Sequence, residues 1–191
     1  MFDLKKYRTK SPWILHYNAG SCNGCDIEIL ASLSPKYDLE RFGVINTGNP
    51  KQSDIFLVTG PVTFRSRERL VELYTQMPEP KVVIAVGSCS CTGGVFRNMY
   101  NVEDGVDRYI PVDVYIPGCA CSPELIIDGV VKGLEILESK TKDIEEPFKL
   151  FRGVVYSDGI VNRRHIALKV GEPRTKEDKP STKEEIKNEE D

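Results

Sequence analysis

Several things are missing from this chain, and each absence excludes something. Nowhere are there the ~18 consecutive apolar residues of a membrane-spanning helix. The N-terminal stretch MFDLKKYRTKSPWILHYNAG carries basic residues without the apolar core of a signal peptide. A cytoplasmic protein is expected, with any membrane association coming through partners. Charge of one sign is also missing: 26 Lys and Arg against 29 Asp and Glu leave a net charge of -3, no field to gather nucleic acid. There is no internal repeat, and histidine is confined to His16 and His165. His16, in a predicted strand, reads as a satisfied sheet-end side chain, and His165 as surface. At 191 residues, one sizeable domain with appendages is the natural reading.

What the chain does hold is an alternation of strand and helix signals. WILHYN (13–18), RFGVIN (41–46), DIFLVTG (54–60), KVVIAVG (81–87) and VDVYIPG (112–118) read as strands, two of them apolar throughout, as suits strands covered on both faces. Helical spacing follows at 26–33, from an N-cap at Thr63 to about Met77, and at 122–137 with Ser122 at the N-cap and Pro123 at the first helical position. Alternation of this kind predicts an α/β domain, a parallel sheet with helices on both faces, over residues 1–146. Residues 147–170 form two β-rich runs about Ser157-Asp158-Gly159, predicting a hairpin arm. Residues 171–191 are densely charged with one aliphatic side chain and predict a disordered tail.

The six cysteines all fall just past predicted strand ends. Cys22 and Cys25 follow the first strand, Cys89 and Cys91 the KVVIAVG strand, and Cys119 and Cys121 the VYIPG strand. In a parallel sheet those ends share one edge, where open α/β proteins bind ligands. Gly20, Gly87 and Gly118 sit one or two residues ahead of a cysteine, so backbone can approach a bulky inorganic group closely. Helix N-termini near Asp26 and Pro123 point at the same edge and favour anionic sulfur. In a reducing compartment such a set suggests metal ligands or redox groups rather than a disulfide frame. An iron-sulfur cluster is favoured, with a zinc-stabilised scaffold and a redox dithiol as alternatives.

The segments GSCNGCDIE, DIFLVTGPVT, KVVIAVGSC, the Gly93-Gly94 pair and IPVDVYIPGC followed by PE occur together and in order across about residues 11–140. In this the chain resembles the small, proximal-cluster subunit of membrane-bound, energy-converting [NiFe] hydrogenases, related to the 20 kDa cluster subunit of respiratory complex I. The resemblance implies a flavodoxin-like domain holding one [4Fe-4S] cluster on Cys22, Cys25, Cys89 and Cys119. It further implies a large catalytic subunit, NiFe-type or degenerate, an adjacent ferredoxin-like cluster subunit, and ion-pumping membrane subunits, with electrons drawn from ferredoxin. The C-x-x-C spacing at 22–25 places the chain nearer the hydrogenase branch.

Relatives commonly carry Pro-Pro-Arg-Pro-Glu after the last ligand, where this chain has ACSPE (120–124). The arginine is replaced by Ser122, and Cys121 is gained. A sibling complex reducing sulfur compounds is therefore an alternative to a hydrogenase. Cys91 and Cys121 read as buried spectators, and Glu28 as either a proton or interface group or an exposed helix residue. Arg65, Arg67 and Arg69 read as a charged helix face more readily than as a docking patch.

Overall fold

The computed structural model describes residues 10–143. The predicted arm (147–170), the tail (171–191) and His165 therefore lie outside the described residues, as does the boundary expected after 146. Five strands are found among the described residues: β1 (Trp13–Asn18), β2 (Ile45–Asn46), β3 (Ile55–Thr59), β4 (Val82–Val86) and β5 (Val114–Ile116). Four helices accompany them: α1 (Gly24–Ser32), α2 (Ser66–Gln76), α3 (Ser88–Thr92) and α4 (Pro123–Asp143).

All the strand pairs are parallel, in the order β2-β1-β3-β4-β5. That is the flavodoxin-like order, and the chain reverses its direction of build between β1 and β3. Strands β3 and β4 are buried at every position, which explains their unbroken apolar sequences. Alternate side chains feed two cores. Ile14, Ile55, Leu57, Val82, Ile84, Val86, Val114 and Ile116 pack on one face with Ile29 of α1 and Ile126, Val130 and Leu137 of α4. Leu15, Phe56, Val58 and Val83 pack on the other with Leu70 and Met77 of the α2 region, together with Val106 and Ile110.

Two local expectations change. The predicted strand over 41–46 shrinks to Ile45–Asn46, because Leu39–Phe42 forms a 3-10 turn bracketed by left-handed residues, Asp38 (φ 51°) and Gly43 (φ 80°). Helix α2 starts at Ser66 rather than just after Thr63. Thr63 nevertheless serves its entry, since Thr63 Oγ1 accepts from the Ser66 N–H at 3.3 Å. After β4 the chain enters the short helix α3, on which Cys89 and Cys91, two residues apart, face different ways.

Candidate metal centre

The loop leaving β1 is built on one asparagine. Asn18 Oδ1 accepts from the N–H groups of Gly20 (2.9 Å) and Ser21 (2.7 Å), turning the chain back on itself. Asn18 Nδ2 donates to Asn23 Oδ1 (3.1 Å) and to Asp26 Oδ2 (2.9 Å), tying the turn to the first residues of α1. Asn23 takes the left-handed conformation (φ 68°) that lets α1 begin at Gly24, two residues earlier than expected. Cys22 is thus exposed on the turn, and Cys25 is half-buried in the first turn of α1.

Asp26 anchors this loop to the sheet. Its Oδ1 lies 2.7 Å from His16 Nε2 and accepts from Thr59 Oγ1 at 2.5 Å, joining α1 to the carboxyl ends of β1 and β3. Burial works against its charge, but hydrogen bonds from Thr59 and Ser21 and the nearby His16 hold the carboxyl below its ordinary pKa. His16 is therefore a satisfied sheet-end histidine, as expected. Asn18 and Asp26 were not singled out as site residues in the sequence. A signal was present nonetheless: Asn-x-Gly ahead of a C-x-x-C, with an acid directly after it.

Strand β4 delivers Cys89 through Gly87, whose φ of 94° belongs to the left-handed half of backbone space. A side chain at Gly87 is also excluded by proximity, because a Cβ there would stand 2.8 Å from Cys25 Sγ. The Cys22–Cys25 turn and the end of β4 are therefore in van der Waals contact through that glycine. Strand β5 delivers Cys119, which is exposed. Burial raises the pKa of the half-buried Cys89 thiol, and the charges of Cys119, Cys25 and Cys22 raise it further. Cys89 thus has each of the other three as an electrostatic neighbour on the carboxyl edge.

That repulsion defines what the edge suits. Four thiols crowded together resist ionising together unless positive charge is supplied among them. Four sulfurs with no histidine would suit an iron-sulfur cluster or a four-cysteine zinc site. Gly87 and Gly94, the latter with its Cβ position 3.3 Å from Cys89 Sγ, leave backbone rather than side chain against the sulfurs. Among the described residues, no three His, Cys, Asp or Glu side chains converge tightly enough to hold a single metal ion.

The remaining candidates separate. Cys121 is buried and packs in the core with Ile116 and Ile126, with Cys25 against the same cluster. A hydrogen bond from Cys121 is the largest influence lowering the Cys25 pKa, and the same pairing, aided by burial, pushes Cys121 strongly upward. Cys91 is half-buried with its Sγ 3.7 Å from the Ala85 carbonyl oxygen, and burial raises its pKa. Both stay free thiols. Glu28 is half-buried on α1, and its charge works against ionisation of Cys25. Arg67 lies over the Phe64 ring at 4.6 Å and Arg69 pairs with Glu72 at 2.6 Å, so these two are engaged within the chain; Arg65 stands directly before α2.

With this geometry in place, comparison with known proteins is specific. A family described as NADH ubiquinone oxidoreductase, 20 kDa subunit, matches residues 22–133, a span containing all six cysteines. The Pyrococcus furiosus protein named "Probable membrane-bound hydrogenase subunit mbhJ" is 53% identical over 139 residues, covering 73% of this chain and 83% of the relative. "Formate hydrogenlyase subunit 7" of Escherichia coli is 42% identical over 137 residues, covering 72% of this chain and 53% of the relative. Among solved structures, a chain of the membrane-bound sulfane sulfur reductase, an archaeal respiratory membrane complex, superposes with a TM-score of 0.63 at 39% identity, covering 79% of this chain and 87% of its own. A chain of an NAD+-reducing [NiFe]-hydrogenase, at 18% identity and a TM-score of 0.54, covers 65% of this chain and 92% of its own and shares the fold alone.

Proposed function

The chain belongs to the family of the 20 kDa subunit of NADH ubiquinone oxidoreductase, and from that premise we propose that it carries one [4Fe-4S] cluster and relays electrons within a membrane-associated, sulfur-reducing respiratory complex. The family role is that of a small electron-transfer subunit in oxidoreductases of the complex I and membrane-bound hydrogenase type, without an active site of its own. Cys22, Cys25, Cys89 and Cys119 would hold the cluster. When bound, the cluster supplies a one-electron carrier whose potential depends on the hydrogen bonds and burial around its sulfurs.

The observation that supports the reading is the placement of these four cysteines just past β1, β4 and β5, at the carboxyl edge of one parallel sheet. The chain's own residues hold that arrangement. Asn18 and Asp26 fix the Cys22–Cys25 turn, Gly87 lets Cys25 and the end of β4 touch, and the half-buried Cys25 and Cys89 keep water from part of the site. Replacing Cys22 or Cys119 by Ser should abolish cluster incorporation in anaerobically prepared protein, read as iron and acid-labile sulfide per chain. A full complement in either variant would sink the ligand assignment, and stoichiometric zinc in colourless wild-type protein would favour the scaffold reading.

Large apolar side chains stand exposed on α1 and in the segments beside α2 and α3. Ile27 and Leu30 on α1, Phe64 before α2, and Val95, Met99 and Tyr100 after α3 are exposed, Tyr100 at 93%. Exposed apolar side chains grouped beside a redox site suit a protein interface. A large catalytic subunit, NiFe-type or degenerate, would cover this edge, with an adjacent ferredoxin-like cluster subunit supplying electrons and ion-pumping membrane subunits completing the complex. No helix among the described residues is long and apolar enough to cross a membrane. A peripheral position on the cytoplasmic side, held through partners, follows from the same proposal.

The sulfur-reducing reading is favoured over the hydrogenase one by the 39% identical structural match to a sulfane sulfur reductase chain. The ACSPE segment agrees with it, since Ser122 Oγ turns to the Leu125 N–H (3.5 Å) at the start of α4 and offers no fixed positive charge. The 53% identical hydrogenase-named relative supports the second reading, a proton-reducing complex. Purified complex given reduced ferredoxin distinguishes them: sulfide production from polysulfide supports the first, hydrogen evolution the second.

A further inference from the structure

Cys89 and Cys119 reach the carboxyl edge from different strands, and the residues just ahead of them, Ser88 and Gly118, are bonded to each other twice. The Ser88 N–H donates to the Gly118 carbonyl oxygen at 2.9 Å, and the Gly118 N–H donates to Ser88 Oγ at 3.3 Å. The last register pair between β4 and β5 is Val86 with Ile116, so this exchange lies beyond the ladder itself.

Helix α3 explains why a side chain takes part. Backbone bonds in a parallel ladder run evenly from one strand to the other and back. Here the Gly87 N–H donates to the Ile116 oxygen at 2.8 Å, and the next bond of the series would run from the Gly118 N–H to the Gly87 oxygen. That oxygen is already engaged by the first turn of α3. It accepts from the Cys91 N–H at 3.1 Å and has Ser90 Oγ at 2.9 Å. A backbone N–H turned inward needs another acceptor, and the Ser88 hydroxyl supplies it one residue further on. Alanine at position 88 would keep the bond from its own N–H and lose this one.

We infer that Ser88 is a positioning residue for the proposed centre: its hydroxyl clasps the end of β5 to the end of β4 and so fixes the spacing of the backbones that present Cys89 and Cys119. The inference rests on the proposed ligand roles of those two cysteines. No covalent bond changes and no proton moves in this role. The clasp matters most for Cys119, which is exposed and follows a strand of only three residues. Ser53 supplies the contrast. It is fully buried, and its Oγ donates to the Asn49 oxygen at 2.8 Å in the segment entering β3, at the opposite edge of the sheet.

The test uses the full-length chain, prepared anaerobically with its cluster. It reads the rate of iron loss to a ferrous chelator, the EPR spectrum of the reduced cluster, and urea unfolding. Ser88→Ala should lose iron about fivefold faster than wild type, the factor equivalent to one hydrogen bond of about 1 kcal/mol, and should show shifted g-values. Ser88→Thr, which keeps the hydroxyl, should stay near wild type in both readings. Ser53→Ala should unfold at lower urea while keeping wild-type iron loss and spectrum. Wild-type iron loss and spectrum in Ser88→Ala overturn the inference. So does a Ser88→Thr protein that behaves as Ser88→Ala, or equally fast iron loss in Ser53→Ala, which would mark a general loosening of the fold. Failure of the underlying reading is separately visible: Cys89→Ser or Cys119→Ser would then hold a full iron and sulfide complement.

Discussion

Asn18 and Asp26 show how much of a sulfur site is made by residues that carry no sulfur. Asp26 spans α1, β1 and β3 through His16 and Thr59, so the Cys22–Cys25 turn is fixed from behind by a partly buried carboxylate. Because the folded pKa of Asp26 lies below its ordinary value, the charged form stabilises the fold above about pH 4. That contribution is lost as pH falls through the folded pKa. Asp26→Asn is accordingly expected to cost about 1–3 kcal/mol near neutral pH, the usual scale for unpairing a buried polar group. Urea unfolding of both proteins at pH 7 and at pH 3 checks this: the difference should be large at the first and shrink markedly at the second.

At the scale of the element, α4 is the longest helix among the described residues and packs against β4 and β5, the strands that deliver Cys89 and Cys119. It comes close because small residues line its buried face. At Gly129 a Cβ would meet the Ile116 side chain, with Cγ1 2.6 Å away, whereas at Gly133 it would meet the end of Ile84 at 2.9 Å and Val82 Cγ1 at 3.5 Å. Alanine at either position gains about 1 kcal/mol of helix propensity. Overpacking of a filled core costs about 1–3 kcal/mol. Gly129→Ala should therefore be net destabilising, since two carbons of Ile116 are struck, and Gly133→Ala should be closer to neutral, since one rotatable methyl can yield. Thermal unfolding of the two variants side by side tests the order; equal melting temperatures would count against so close an approach of α4 at Gly129.

Across the whole molecule, the proposed interface joins the cysteine edge to exposed apolar side chains on α1 and after α3. Val95 is 73% exposed and Tyr100 93%, so neither supports the core. Their joint replacement by Asp should leave folding and iron content unchanged while weakening association with the large partner subunit at least tenfold, the effect of losing exposed apolar anchors. Co-purification at graded salt, with iron content measured on the same preparations, reads both quantities. Undiminished co-purification would place the interface elsewhere on the chain.

The α/β class and the convergence of three cysteine segments were legible in the sequence for one physical reason. Strands buried on both faces announce themselves as unbroken apolar runs, and parallel strands must put all their carboxyl ends on one edge. The left-handed turns at Asp38 and Gly43 that shorten β2, and the helical turn that separates Cys89 from Cys91, were not legible, since they depend on backbone angles that composition constrains only weakly. By itself the sequence determined that six thiols gather on one edge of a parallel sheet. Only the tertiary structure decided which of them face outward, because Cys119 and Cys121 are separated by a single residue and their burial depends on where α4 closes over β5. That packing left Cys119 exposed at the rim and turned Cys121 into the core behind Cys25.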